Sequence, residues 1–149
     1  MNPANPLFDS FLKSDDTLRL LRNGVVIFQS QKKGIAPLLE YLSLSRTSER
    51  DEIIACDRLV GNAAALLMKV AGCCEVHAVM ASEYAVKTLA ALGIPAYFQK
   101  VVPQITNRLG TGMCPFELLS LGKSPQDFYI LAQNKHESLN ERNNITEIA

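Results

Sequence analysis

Between residues 53 and 102 the chain alternates short β-branched runs with helix-forming runs: "IIAC", "GNAAALLMKVAG", "EVHAVMA", "SEYAVKTLAALG" and "AYFQKVV" follow one another with little between them. Strands alternating with helices build βαβ units, and such units build a largely parallel sheet covered by helices. The pattern predicts an α/β domain with a mixed, mostly parallel sheet of about four or five strands. Within it, a helix is expected from Asn62 to Ala71, whose alanines let it lie close against the sheet. A second helix should start on Ser82 as N-cap and stop at Gly93.

The flanks are read by the same rules. "PLFDSFLKSDDTLRLLRNG" carries apolar residues from Leu7 to Leu21 at spacings that suggest a helix interrupted near Ser14 and ended by Gly24. "VVIFQS" from Val25 favours a strand, and "GIAPLLEYLSL" a helix with Pro37 in its first turn. Residues 45–52 form a polar loop. "CPFELLSLG" and "SPQDFYILAQNKHESLN" read as two short helices, followed by the polar, fraying tail "ERNNITEIA". The expectation is one domain over residues 1–140 with a tail over 141–149.

Composition narrows the function classes. The chain has 149 residues, 48% of them hydrophobic, which suffices for one folded core. Fifteen basic and fifteen acidic residues cancel without forming a Lys/Arg stripe, so nucleic acid is not expected as the partner. No run approaches the roughly 20 apolar residues of a membrane span, and the N-terminus lacks the basic-then-apolar pattern of an export signal. A cytoplasmic protein is expected, with its four irregularly spaced cysteines reduced. Cys73, Cys74 and His77 form a Cys-Cys-x-x-His stretch, but the cysteines are expected in the turn before the strand that carries His77, and thiols beside a structural histidine are the expected outcome.

In an α/β sheet, ligands gather at the carboxyl ends of strands, where helices begin. That rule singles out the helix starts at Gly61-Asn62, at Ser82-Glu83 and at Cys114. Asp57, after the "IIAC" strand, joins them as an acceptor for ligand hydroxyls or as a turn-forming residue. The stretch "NRLGTGMCPFE" is the densest. With Cys114 as N-cap, Pro115 falls at N1 and Glu117 at N3, where its carboxylate reaches back to the cap N–H. Gly110 and Gly112 allow positive φ and close approach of a ligand to the main chain, Arg108 offers a forked donor, and Asn107 and Thr111 add polar groups. Three readings fit: a capped connection with Cys114 buried, a cradle for an anion, and a thiol activated at a helix start.

The segments "DRLVGNAAALLM", "SEYAVKTLAALGI" and above all "NRLGTGMCPFE" resemble a bacterial family, domain of unknown function 1893, grouped with the cytidine deaminase-like superfamily. The resemblance spans roughly Thr17 to Gly122 and implies a three-layer α/β/α fold. It does not extend to deamination. Zinc deaminases need His-x-Glu at one helix start and Pro-Cys-x-x-Cys at the next. Here those places read "GNAAALL" and "SEYAV", without Cys or His. The sequence reading is therefore a deaminase-like domain without zinc or other cofactor that binds a small anionic or nucleotide-like ligand. A cysteine-dependent enzyme using Cys114 and a structural or regulatory interaction module are the alternatives, and a homodimer is the prior for assembly.

Overall fold

A computed structural model describes the backbone of residues 5–44, 52–107 and 109–148. Most of the loop expected at 45–52, and Arg108, lie outside the described residues. In chain order the elements are α1 (Pro6–Leu12), β1 (Leu18–Arg22), β2 (Val25–Ser30), α2 (Ala36–Leu44), β3 (Ile53–Val60), α3 (Asn62–Ala71), β4 (Cys73–Ser82), α4 (Glu83–Ala91), β5 (Ala96–Val102), α5 (Pro115–Ser120) and α6 (Pro125–Ile148).

The first part of the chain departs from the expected long helix. Asn5 caps α1 by accepting the N–H groups of Leu7 and Phe8, and α1 ends where Ser14 folds back on the Phe11 carbonyl with both its N–H and its hydroxyl. Leu18 to Leu21 then lie in a strand. Asn23 and Gly24 adopt φ of 52° and 78°, the paired left-handed geometry whose twist matches that of antiparallel neighbours, and β1 turns directly into β2. Strand alternation puts Leu18 and Leu20 on one face and Leu21 on the other, each in a separate buried cluster.

The five strands run in the order β2-β1-β3-β4-β5. β1 is antiparallel to both of its neighbours, while β3, β4 and β5 pair in parallel, so four of the five strands point the same way. The predicted β3-α3-β4-α4-β5 alternation is present with its caps: Gly72 and Gly93 hold φ of 86° and 73°, and Ser82 Oγ accepts the Ala85 N–H at 3.0 Å.

Helices cover both faces. On one face, Ala55 and Val76 of the sheet pack with α2, α3, α4 and α6 in the main core. Residues Asn62 to Met68 of α3 are all buried, which its short side chains make sterically feasible between the sheet on one side and α6 on the other. On the opposite face α1 lays Phe8 and Phe11 over Leu21 and Cys56. Arg58 fastens it there, with its guanidinium 4.4 Å from the Phe11 ring centroid and donating to the carbonyls of Phe11, Ser14 and Asp16. His77 is buried on this face, stacked on Tyr97 at 4.9 Å and near Phe8 at 5.7 Å, with Nε2 2.8 Å from Glu75 and 3.1 Å from Asn5. It is a packing histidine, as the sequence suggested. The last helix is longer than expected, because α6 continues through most of the segment read as a fraying tail.

Candidate functional site

The start of α3 was a predicted ligand position, and the protein fills it itself. The first N–H groups of a helix have no intrahelical partners, and Gly61 offers no side chain to cap them. Glu117 of α5, 4% exposed, supplies the missing acceptor, with its carboxylate oxygens 2.8 Å from the Asn62 N–H and 2.7 Å from the Ala63 N–H. Burial pushes the Glu117 carboxyl above its usual range, and these two N–H bonds pull it back down. The Asn62 side chain completes the knot. Its amide donates to the hydroxyl and carbonyl of Ser120, and its oxygen accepts from Thr88 Oγ1, tying α3 to α4 and α5.

This corrects the capping-box expectation. Pro115 does stand in the first turn of α5 and Cys114 at the N-cap, but Cys114 makes no side-chain cap bond and its N–H goes to the Ile105 carbonyl at 2.9 Å. Glu117 serves a helix start 55 residues away instead of its own, because that start is buried and uncapped.

The glycine loop is also different from an anion cradle. Thr106 and Met113 pair across it, and the Asn107 N–H bonds the Gly112 carbonyl at 2.8 Å. The Gly110 N–H goes to the Asn107 carbonyl and the Thr111 N–H to the Asn107 side chain, each at 3.1 Å, while the Asn107 amide donates to the Thr111 hydroxyl. The Gly110 N–H, expected to face a ligand, is thus satisfied within the loop, as is that of Thr111. Only Gly110, at φ 70°, needs the left-handed conformation; Gly112 does not.

The loop instead forms a wall. Together with the segment entering α2 and with α6, it encloses a groove of about 640 Å³. Ile35, Leu109 and Phe116 give it an apolar lining, while Lys33, Lys135 and His136 bring three basic side chains to it. The Lys135 ammonium lies 5.2 Å from the Phe116 ring centroid. Of the predicted residues, Asn107 and Cys114 line this groove, and Cys114 is partly exposed. His136, distant in sequence, lines the same space as Cys114. Lys33 and Lys135 were not anticipated; the "QKKG" run before α2 was the available signal for the first, and α6 contributes the second only after folding back over the core.

Among the described residues, the other predicted ones do not line the groove. Asp57 lies half-buried on β3, its Oδ1 accepting the N–H groups of Arg58 and Leu59 at 2.7 and 3.3 Å. Burial raises its carboxyl to about 7 against the lowering effect of those bonds and of the Arg58 charge. Ser82 is fully buried as the cap of α4, and Glu83 is exposed in that helix's first turn. Among the described residues no group of three or more His, Cys, Asp or Glu side chains is placed to hold a metal ion, and no helix is long and apolar enough to cross a membrane.

Residues 8–135 match the family profile TM1506, domain of unknown function DUF1893. A solved structure, the crystal structure of a DUF1893 family protein (TM1506) from Thermotoga maritima, superposes with a TM-score of 0.77 at 26% identity, over 90% of this chain and 92% of that one. No curated protein matches the chain. With the profile spanning nearly all of the core, from Phe8 in α1 to Lys135 in α6, this chain belongs to the DUF1893 family.

Proposed function

We propose that this chain is a cytoplasmic, bacterial binding domain for a small anionic, nucleotide-like ligand, held in the groove between the 105–116 segment, the start of α2 and α6. The observation that carries the reading is the composition of that groove: an apolar lining from Ile35, Leu109 and Phe116, met by the basic side chains of Lys33, Lys135 and His136. Small-molecule sites are mostly apolar concavities of about 300–1,000 Å³ with a few polar groups, and this groove has that size and that mix. A cytidine deaminase-like fold working without zinc accords with the helix starts, where Asn62, Ser82 and Glu83 stand in place of metal ligands.

Thermal melts of the full chain with inorganic pyrophosphate, ribose 5-phosphate and adenosine and cytidine monophosphates test it. A ligand that binds only the folded state raises the melting temperature with concentration. Lys135→Ala should weaken the response about tenfold, the loss expected for one charge-assisted hydrogen bond, without lowering the unliganded melting temperature. A flat response to every probe overturns the reading.

A second reading, a cysteine-dependent enzyme, has one observation in its favour: Cys114 and His136 line the same groove, which brings a thiol and an imidazole to one cavity.

A further inference from the structure

The basic groove does not end at His136. Beyond it, α2 and α6 line a second cleft of about 470 Å³ that shares Ala36 and His136 with the first. Its walls are single helix faces. Ala36, Leu39, Glu40 and Ser43 recur at helical spacing on α2, and Gln133, His136 and Glu137 do so on α6. The polar groups differ from those of the groove. Here two carboxylates, Glu40 and Glu137, stand with the hydroxyl of Ser43 and the amide of Gln133, and Lys32 is engaged by Glu40 in an ion pair at 2.8 Å.

We infer that the α2–α6 cleft is the second compartment of one bipartite site and takes the polyhydroxylated part of a sugar phosphate, whose phosphate lies in the basic groove. This rests on the groove being a ligand site. Carboxylates and an amide oxygen accept hydrogen bonds from hydroxyls, Ser43 and Gln133 also donate, and, with Lys32 already taken up by Glu40 and Glu137 on the other wall, the cleft has no free lysine for a phosphate among the described residues. The reverse orientation is the poorer one, because the phosphate would meet Glu137 and a Lys32 already paired with Glu40, and the hydroxyls the apolar lining of Ile35, Leu109 and Phe116. His136, at the junction, adjoins both parts. The arrangement selects an elongated ligand with a charged end and a neutral hydroxylated end over a compact anion.

Calorimetric titration of the full chain with inorganic phosphate and with ribose 5-phosphate separates the two claims. The inference expects ribose 5-phosphate to bind at least about tenfold more tightly than phosphate, a difference of one or two good hydrogen bonds. Gln133→Leu with Glu137→Gln should remove that preference and leave phosphate binding unchanged, whereas Lys135→Ala should weaken both. Ser43→Ala, on the opposite wall, gives an independent check and should lower only the sugar phosphate affinity. Equal affinities for the two probes, or a preference that survives both sets of cleft substitutions, overturns the second compartment while the groove stands. Failure of both probes to bind overturns the groove itself.

Discussion

Gly61 lies directly against the Glu117 carboxyl: a Cβ at residue 61 would stand 2.4 Å from Glu117 Cδ and 2.5 Å from both carboxylate oxygens. The glycine is required by this contact and not by its backbone angles, since its φ of −97° is open to any residue.

Gly61→Ala is therefore expected to destabilise the fold by about 1–3 kcal/mol, the usual range for forcing an extra carbon into a packed site. Glu117→Ala should also destabilise, because it orphans the buried N–H groups of Asn62 and Ala63. The double variant should lose clearly less than the two single losses added together, since the clash disappears with the carboxyl. Urea unfolding of the four proteins measures this coupling; strict additivity would show that the two residues do not meet.

Asp57 makes stability depend on pH in a direction opposite to most carboxylates. Its pKa is about 7 in the folded chain against 3.8 as the ordinary value, so across that interval the folded state holds a proton that the unfolded state has released. Its contribution is greatest below the ordinary value and is lost as pH rises toward about 7. Asp57→Asn keeps an oxygen to accept the Arg58 and Leu59 N–H groups and removes the ionisation. Denaturation midpoints taken from pH 4 to pH 8 should then show the variant gaining on the parent as pH rises; parallel curves would contradict the assignment.

The cysteines should separate by burial. Cys56 is fully buried beneath α1, and burial pushes its thiol up to about 12, whereas Cys114 is partly exposed in the groove wall. Brief iodoacetamide treatment at neutral pH, read by peptide mass spectrometry, should label Cys114 and leave Cys56 unmodified until the chain unfolds. Ribose 5-phosphate in the groove should slow Cys114 alone. Labelling of Cys56 in the folded chain would mean that α1 does not stay docked.

The β3-to-β5 half of the fold was legible because each of its signals is local: Ser82 caps the helix that follows it, and Gly72 and Gly93 end the helices that precede them. The first hairpin was missed because Leu18, Leu20 and Leu21 continue a spacing begun at Leu7 that suits a helix. The Asn23-Gly24 pair was the stronger signal, since two successive left-handed residues suit a tight hairpin turn and end a helix. At the site, Asn107 and Cys114 were found from the loop itself. Glu117 was assigned to the wrong helix and Lys135 was not seen, because nothing near either residue in sequence encodes a partner brought in from another element.

Helix α6 has two jobs on two of its sides. Phe128 and Ala132 are fully buried in the main core, while Gln133, Lys135 and His136 face the clefts. Ala132, whose side chain is a single methyl, consequently acts as a spacer that sets how near α6 approaches the rest of the fold. Enlarging it would push Gln133, Lys135 and His136 outward together, so the width of both clefts is set by a position that lines neither of them.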